Sequence, residues 1–291
     1  MHEEENKSRD LFIGISLLLI GALMLGASGI FVKISESSPS LIAFYRAFFA
    51  LPFLYLWMVY EEKNYKDDID WNKKNKFFLV LGGVCFALDM FIWNWSLVFT
   101  SVANATLMAN TAPVFVVLFG VIFLSYTIKL SFIISLFFAF IGVCLVVLPG
   151  ENIMVFGDSL GLMAAVFYAG YILSIKELTN LLKPGKTLFL VTFVTALFLL
   201  PISIIEAKGL FISQSEFILL LAYAFFSQTI AQGLITYGIS KVSAHLSSLV
   251  LLMQPVAAAF YGWLLLEELL SPIQAIGGLI VLLAIYTASR K

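Results

Sequence analysis

Ten apolar runs, most of about 20 residues, follow one another along this chain, at 11–34, 41–60, 77–99, 102–125, 130–149, 157–178, 187–206, 216–239, 243–266 and 272–289. A helix of about 20 apolar residues crosses a hydrocarbon core about 30 Å thick. In lipid every backbone N–H and C=O must be satisfied internally, which leaves only helices and closed barrels. Runs this long are helical, so the expected fold is an all-α membrane protein of ten transmembrane helices. The chain is 61% hydrophobic and 12% charged, whereas a soluble domain carries about 25% charged residues. No basic patch with interleaved aromatics is present, which excludes nucleic acid as a partner and leaves the lipid bilayer as the first one. Cys85 and Cys144 lie inside apolar runs and read as small buried hydrophobes.

The opening "MHEEENKSRD" is acidic rather than cationic, so the run behind it reads as a first spanning helix and not as a signal peptide. Cytoplasmic loops carry the excess of Lys and Arg. With the N-terminus in the cytoplasm, Lys7, Arg9, Lys63, Lys66, Lys73, Lys74, Lys76, Lys129, Lys176, Lys183, Lys186, Lys241, Arg290 and Lys291 all fall inside. Only Lys33 and Lys208 fall outside, and Arg46 lies within a helix. Both termini are therefore expected to be cytoplasmic. Few arginines against abundant Lys, Ile, Phe and Asn suggest an AT-rich bacterial genome, and the expected location is a bacterial inner membrane.

The two halves of the chain resemble each other. An offset of 142 pairs Ser101 with Ser243, Leu107 with Leu249, Pro113 with Pro255, Gly120 with Gly262, Leu124 with Leu266 and Ile134 with Ile276. Near the start of each half an offset of 143 pairs Gly14 with Gly157, Ser16 with Ser159, Ala22 with Ala165 and Lys33 with Lys176. The expected organisation is two repeats, 1–150 and 151–291, of five helices each. Five is odd, so the repeats run in opposite directions across the membrane. Inverted repeats of this kind build transporters, with the substrate near the midplane between them.

Three stretches carry a family resemblance: "GASGIFVKISESSPSLIAFYRAFFALP", "NWSLVFTSVANATLMANTAPVF" and "VSAHLSSLVLLMQPVAAAFYGWLLLEELLSPIQAIGGLIV". They resemble the EamA-type transporters of the drug/metabolite transporter superfamily, over essentially the whole chain. The resemblance implies a secondary transporter, usually an exporter of amino acids or related small metabolites, often driven by protons. The family's glutamate at the end of the repeat's fourth helix is Glu267 in the second half, and Ser125 stands in its place in the first.

Asp89, in "FALDMFIWNW", is the polar group that most needs explaining. It lies about 18 Å along its helix from Phe77, near the bilayer centre. A carboxylate there costs about 2.5–3.5 kcal/mol on insertion scales. Cys85, Asp89, Trp93 and Ser96 share a face. Asp89 reads either as a proton-carrying and substrate-binding group or as hydrogen-bonded glue between helices. In the matching helix of the second half, Gln228 and Gln232 lie four apart on one face, fit for a zwitterionic or amide-bearing ligand or for interhelical bonds. Asn104 and Asn110 precede Pro113, and Pro113 and Pro255 each either kink a helix or free a carbonyl. Among the aromatics Trp93, Trp95, Tyr168, Tyr171, Tyr223 and Tyr237, Trp93 and Tyr168 are the preferred cavity residues. His245 reads as interfacial or as a gate. Arg46, about one to two turns inside the second helix, either snorkels, satisfies carbonyls or contacts substrate, and the family's arginine here looks structural. Lys33, Glu267 and Glu268 read as anchors at helix ends or as an outer-gate ion pairing.

The substrate-binding set is thus Asp89, Trp93, Asn110, Tyr168, Gln228 and Gln232, with Asp89 also the proton-coupling group. No cofactor is implied. The expected function is proton-coupled export of an amino acid or similar metabolite by alternating access. Three other readings remain beside it: an uncoupled facilitator or exchanger, a structural or receptor-like membrane protein, and a membrane enzyme acting on a lipid-linked substrate. The last fits poorly, because His2 and His245 are the only histidines and the interfacial acids have no metal-ligand spacing.

Overall fold

The computed structural model describes residues 2–64, 72–100, 102–147, 155–207, 209–266 and 271–290. Among them are ten helices long and apolar enough to cross a membrane: α1 (Ser8–Ile34), α2 (Pro39–Lys63), α3 (Lys73–Phe99), α4 (Asn104–Leu124), α5 (Leu130–Val147), α6 (Val155–Thr179), α7 (Pro184–Ala207), α8 (Gln214–Lys241), α9 (Ala244–Tyr261) and α10 (Pro272–Ser289). No strand occurs among the described residues. Glu267, Glu268 and Lys208 lie outside them.

The helices pack chiefly across the two halves, and the packing pairs recur five helices on. α3 lies on α6 as α8 lies on α1; α4 lies on α6 as α9 lies on α1; α3 meets α7 as α8 meets α2. The remaining large interfaces join α2 to α7 and α5 to α10. Single side chains repeat the pattern. Lys33 Nζ donates to the Leu97 carbonyl at 3.4 Å, and Lys176 Nζ donates to the Ile239 carbonyl at 3.0 Å and that of Ser240 at 3.3 Å. The shared identity of Gly14 and Gly157 has a steric cause. A Cβ on Gly14 would lie 2.7 Å from Val242, and one on Gly157 2.7 Å from Thr100, so each glycine lets a helix end close on its neighbour.

Three spans are interrupted. α1 breaks at Ala27, α4 at Asn110–Thr111 and α9 at Leu251–Leu252. The last two breaks fall just before Pro113 and Pro255, whose missing N–H ends the regular ladder. α8 stays continuous but becomes a π-helix over Ala224–Ala231.

The two ends of the bundle are held differently. Where α1 begins, ion pairs join Lys241 to Asp10 at 2.9 Å, Lys74 to Glu177 at 2.9 Å and Lys186 to Glu62 at 2.6 Å. At the opposite end a buried carboxylate, Glu216, ties down the α1–α2 connection. It accepts from Ser35 Oγ and Ser37 Oγ, both at 2.6 Å, and from the Glu36 N–H at 3.0 Å. The flanks between these ends are apolar: Phe123 is 74% exposed and Ile205 79%, as a lipid-facing surface requires.

Candidate functional site

A cavity enclosing about 760 Å³ of empty space, part of it continuous with solvent, lies among α1, α2, α3, α4, α6, α8 and α9. α3 supplies Phe86, Asp89, Met90 and Trp93 to one wall. These positions recur at three- and four-residue intervals, so one helical face meets the cavity.

Residues at matching places in the two halves face the same space. Thr106 and Ser248, Ala109 and Leu251, and Ala112 and Gln254 differ by 142; Leu25 and Tyr168, and Gly29 and Ile172, by 143. The breaks in α4 and α9 let these segments turn inward beside their prolines.

Asp89 is half-buried and accepts no hydrogen bond from the described residues. The same cavity is lined by Arg46 of α2, 6% exposed. The two line one space and act on each other electrostatically, yet no ion pair within 4.0 Å joins them. Arg46 is held from behind: its Nε donates to Gln228 Oε1 at 3.1 Å and its Nη1 to the Tyr223 hydroxyl at 3.1 Å. Its guanidinium also lies 5.1 Å from the Tyr223 ring centroid and 5.8 Å from that of Phe86, within cation–π range.

The sequence profile of the EamA-like transporter family matches the chain twice, over residues 12–148 and 155–290. The chain belongs to that family. EamA-like relatives include an uncharacterized transporter of Helicobacter pylori strain J99, 27% identical over 244 residues that make up 80% of each chain. Another, from Archaeoglobus fulgidus, is 25% identical over 288 residues, 94% of this chain and 96% of that one. The pseudopaline exporter CntI of Pseudomonas aeruginosa is 26% identical over 218 residues, 73% of this chain and 74% of its own. A crystal structure at 15% identity superposes with a TM-score of 0.76 over 97% of both chains, which shows the same fold. Family and relatives alike are described as transporters. No group of three or more His, Cys, Asp or Glu among the described residues could hold a metal ion.

Of the residues expected in the binding set of this EamA-like chain, Asp89, Trp93, Asn110, Tyr168 and Gln232 line the cavity. Asn110 donates its amide to the Thr106 carbonyl at 2.8 Å. Gln232 donates to the Tyr171 hydroxyl at 2.8 Å, while its own Oε1 is buried without a partner. The Tyr168 hydroxyl faces Gln254 but stays outside hydrogen-bond geometry.

Gln228 does not line the cavity. It is fully buried, bonded to Arg46 and to Thr192 Oγ1 at 3.1 Å. Ser96 likewise lies outside the cavity wall, its Oγ donating to the Trp93 carbonyl at 2.8 Å. His245 sits outside the cavity wall, within 3.0 Å of Ser243 Oγ. The structure adds Arg46, Ser248 and Gln254 to the wall. The 142-residue offset that pairs Gln254 with Ala112 and Ser248 with Thr106 was the available signal for two of them. For Arg46 the signal was its charge about one to two turns inside a spanning helix, which had left substrate contact open.

Proposed function

We propose that this chain exports a small zwitterionic metabolite, an amino acid or a related compound, from a bacterial cell across the inner membrane by alternating access. The observation that carries this reading is the unpaired couple of Asp89 and Arg46 on one cavity. A substrate ammonium pairs with Asp89 and its carboxylate with Arg46, while Trp93, Phe86 and Tyr168 enclose the rest. A half-buried carboxylate and a buried guanidinium that line one cavity without pairing are costly without a ligand between them and favourable with one, since charge without a counter-charge is what membranes penalise. The family and the relative named as an exporter support outward transport.

The two profile matches and the mirrored contacts of Lys33 and Lys176 support two inverted repeats, 1–150 and 151–291, with both termini cytoplasmic. Rocking of one repeat against the other then opens the cavity to each side in turn. Coupling to protons follows if Asp89 carries a proton on the return stroke and gives it up to bind the substrate ammonium. The uncoupled facilitator or exchanger is favoured by one observation: Arg46 already supplies a compensating charge, so Asp89 can be buried without a proton.

Uptake into proteoliposomes with and without a pH gradient, using labelled amino acids, nucleosides and amines, tests both. The coupled reading expects one amino acid to accumulate only with the gradient, and Asp89→Asn to abolish accumulation while retaining exchange. Gradient-driven accumulation by Asp89→Asn equal to wild type would refute coupling at this residue. Preference for nucleosides would refute the zwitterion reading.

A further inference from the structure

α3 and α8 occupy matching places in the two halves, and their caps match as well. At their starts Asn72 and Ser213 accept from the N–H three residues on, and at their ends the N–H of Thr100 and of Val242 bonds the carbonyl four residues back. Between those caps α3 has 27 residues and α8 has 28. The extra residue is absorbed in the π-helical segment Ala224–Ala231, where the Gln232 N–H reaches the Ser227 carbonyl and Thr229 Oγ1 reaches the Ala224 carbonyl at 3.2 Å, both five residues back. π-bulges of this kind concentrate at functional sites.

The inserted residue changes what α8 presents to α2. Tyr223, just before the segment, and Gln228, within it, converge on the Arg46 guanidinium, and Gln228 is itself fixed by Thr192 of α7. Arginine has five N–H donors. Gln228 takes the one on Nε and Tyr223 one of the two on Nη1, which leaves the second N–H on Nη1 and both on Nη2 without a partner among the described residues. Donors on these two neighbouring nitrogens are a two-pronged fit for a carboxylate.

We propose that Gln228 is the positioning residue that makes the carrier select for a substrate carboxylate. Registered by the π segment and anchored by Thr192, its neutral amide occupies the Nε side of Arg46 and reserves the Nη edge for the cargo. This rests on the zwitterion reading above and specifies which end of the substrate Arg46 reads. It makes a sharp distinction between a neutral and an acidic neighbour. A glutamate at 228 forks onto the guanidinium itself, takes an Nη2 donor and cancels the charge, so the cargo carboxylate loses its partner while the ammonium site at Asp89 is untouched.

The test is ligand-induced thermal stabilisation of the purified full-length protein. The probes are the proteinogenic L-amino acids and the amines they give on decarboxylation, titrated to obtain dissociation constants. For wild type, at least one amino acid should stabilise more strongly than its amine. Gln228→Glu should cut that amino-acid-over-amine preference about tenfold or more, the scale of a lost charged hydrogen bond, with amine affinity held or raised. Thr192→Val, which removes only the anchor of the Gln228 amide, should lower the preference by a smaller factor, and it serves if Gln228→Glu fails to fold. A purely structural Gln228 would change stability and leave the preference intact. A folded Gln228→Glu, or else a Thr192→Val, with wild-type preference overturns this inference and leaves the zwitterion reading standing. A wild type that favours no amino acid over its amine overturns both.

Discussion

The contact of α5 with α10 allows a quantitative prediction. Gly142 and Gly277 face each other so closely that a Cβ on Gly277 would lie 2.6 Å from the Gly142 carbonyl oxygen, and a Cβ on Gly142 2.7 Å from that of Gly277. Val281 and Val146 side chains each crowd the same spot at 2.9 Å. Ordinary contact begins at 3.4 Å, so either alanine forces the backbones apart by about 0.7–0.8 Å. The blocking atoms are backbone, which cannot swing aside, and small residues are what let membrane helices approach this far. Overpacking of this order costs about 1–3 kcal/mol. Once one alanine has separated the helices, the second finds most of its space already open. Gly142→Ala and Gly277→Ala should each destabilise by that amount, and the double variant should exceed the worse single by only about 0.5 kcal/mol, a strongly non-additive cycle. Reversible unfolding in mixed micelles measures all four proteins. Neither glycine lines the cavity, so amino-acid affinity should not change. Additive losses, or a loss of affinity at unchanged stability, would refute the close crossing as described.

Other expectations follow from particular contacts. Cysteines replacing Ser37 and Asn180, at the α1–α2 and α6–α7 connections, should react with an impermeant maleimide from opposite sides of the membrane; labelling from one side contradicts inverted repeats. Glu216→Gln weakens charge-assisted bonds to Ser35, Ser37 and Glu36, so a cysteine at Ser38 should label several-fold faster than in the parent. Arg46→Lys keeps the charge but loses the fork, and should weaken binding of the transported amino acid about tenfold while leaving its amine unaffected. Tyr126 lies outside the spans, and burial, with the Glu177 carboxylate beside it, pushes its phenol from 10.0 up to about 12. Its contribution is full below pH 10 and is lost as pH rises toward about 12. Thermal midpoints of wild type should therefore fall toward those of Tyr126→Phe across that window.

Much of the fold was legible from the chain alone, because a bilayer leaves a 20-residue apolar run with one option. All ten spans expected from such runs are helices long enough to cross. Asp89 was visible for the same reason, as a carboxylate where lipid tolerates none without cause. The offsets that paired Gly14 with Gly157 and Lys33 with Lys176 pointed to contacts the structure makes twice. Which polar groups meet was decided by tertiary structure. Gln228 and Gln232 read as neighbours on one face, but spacing does not say which helices that face meets; in the fold Gln228 meets Arg46 and Thr192, and Gln232 meets Tyr171 and the cavity. Arg46 resembled the family's structural arginine, and sequence, which carries no measure of distance across a bundle, left substrate contact open; the packing of the helices brings it to the cavity that Asp89 lines. Sequence fixes how deep a residue sits, since depth is counted along one helix. What it faces depends on the rotation and packing of several helices at once, and that is set by contacts between residues far apart in the chain.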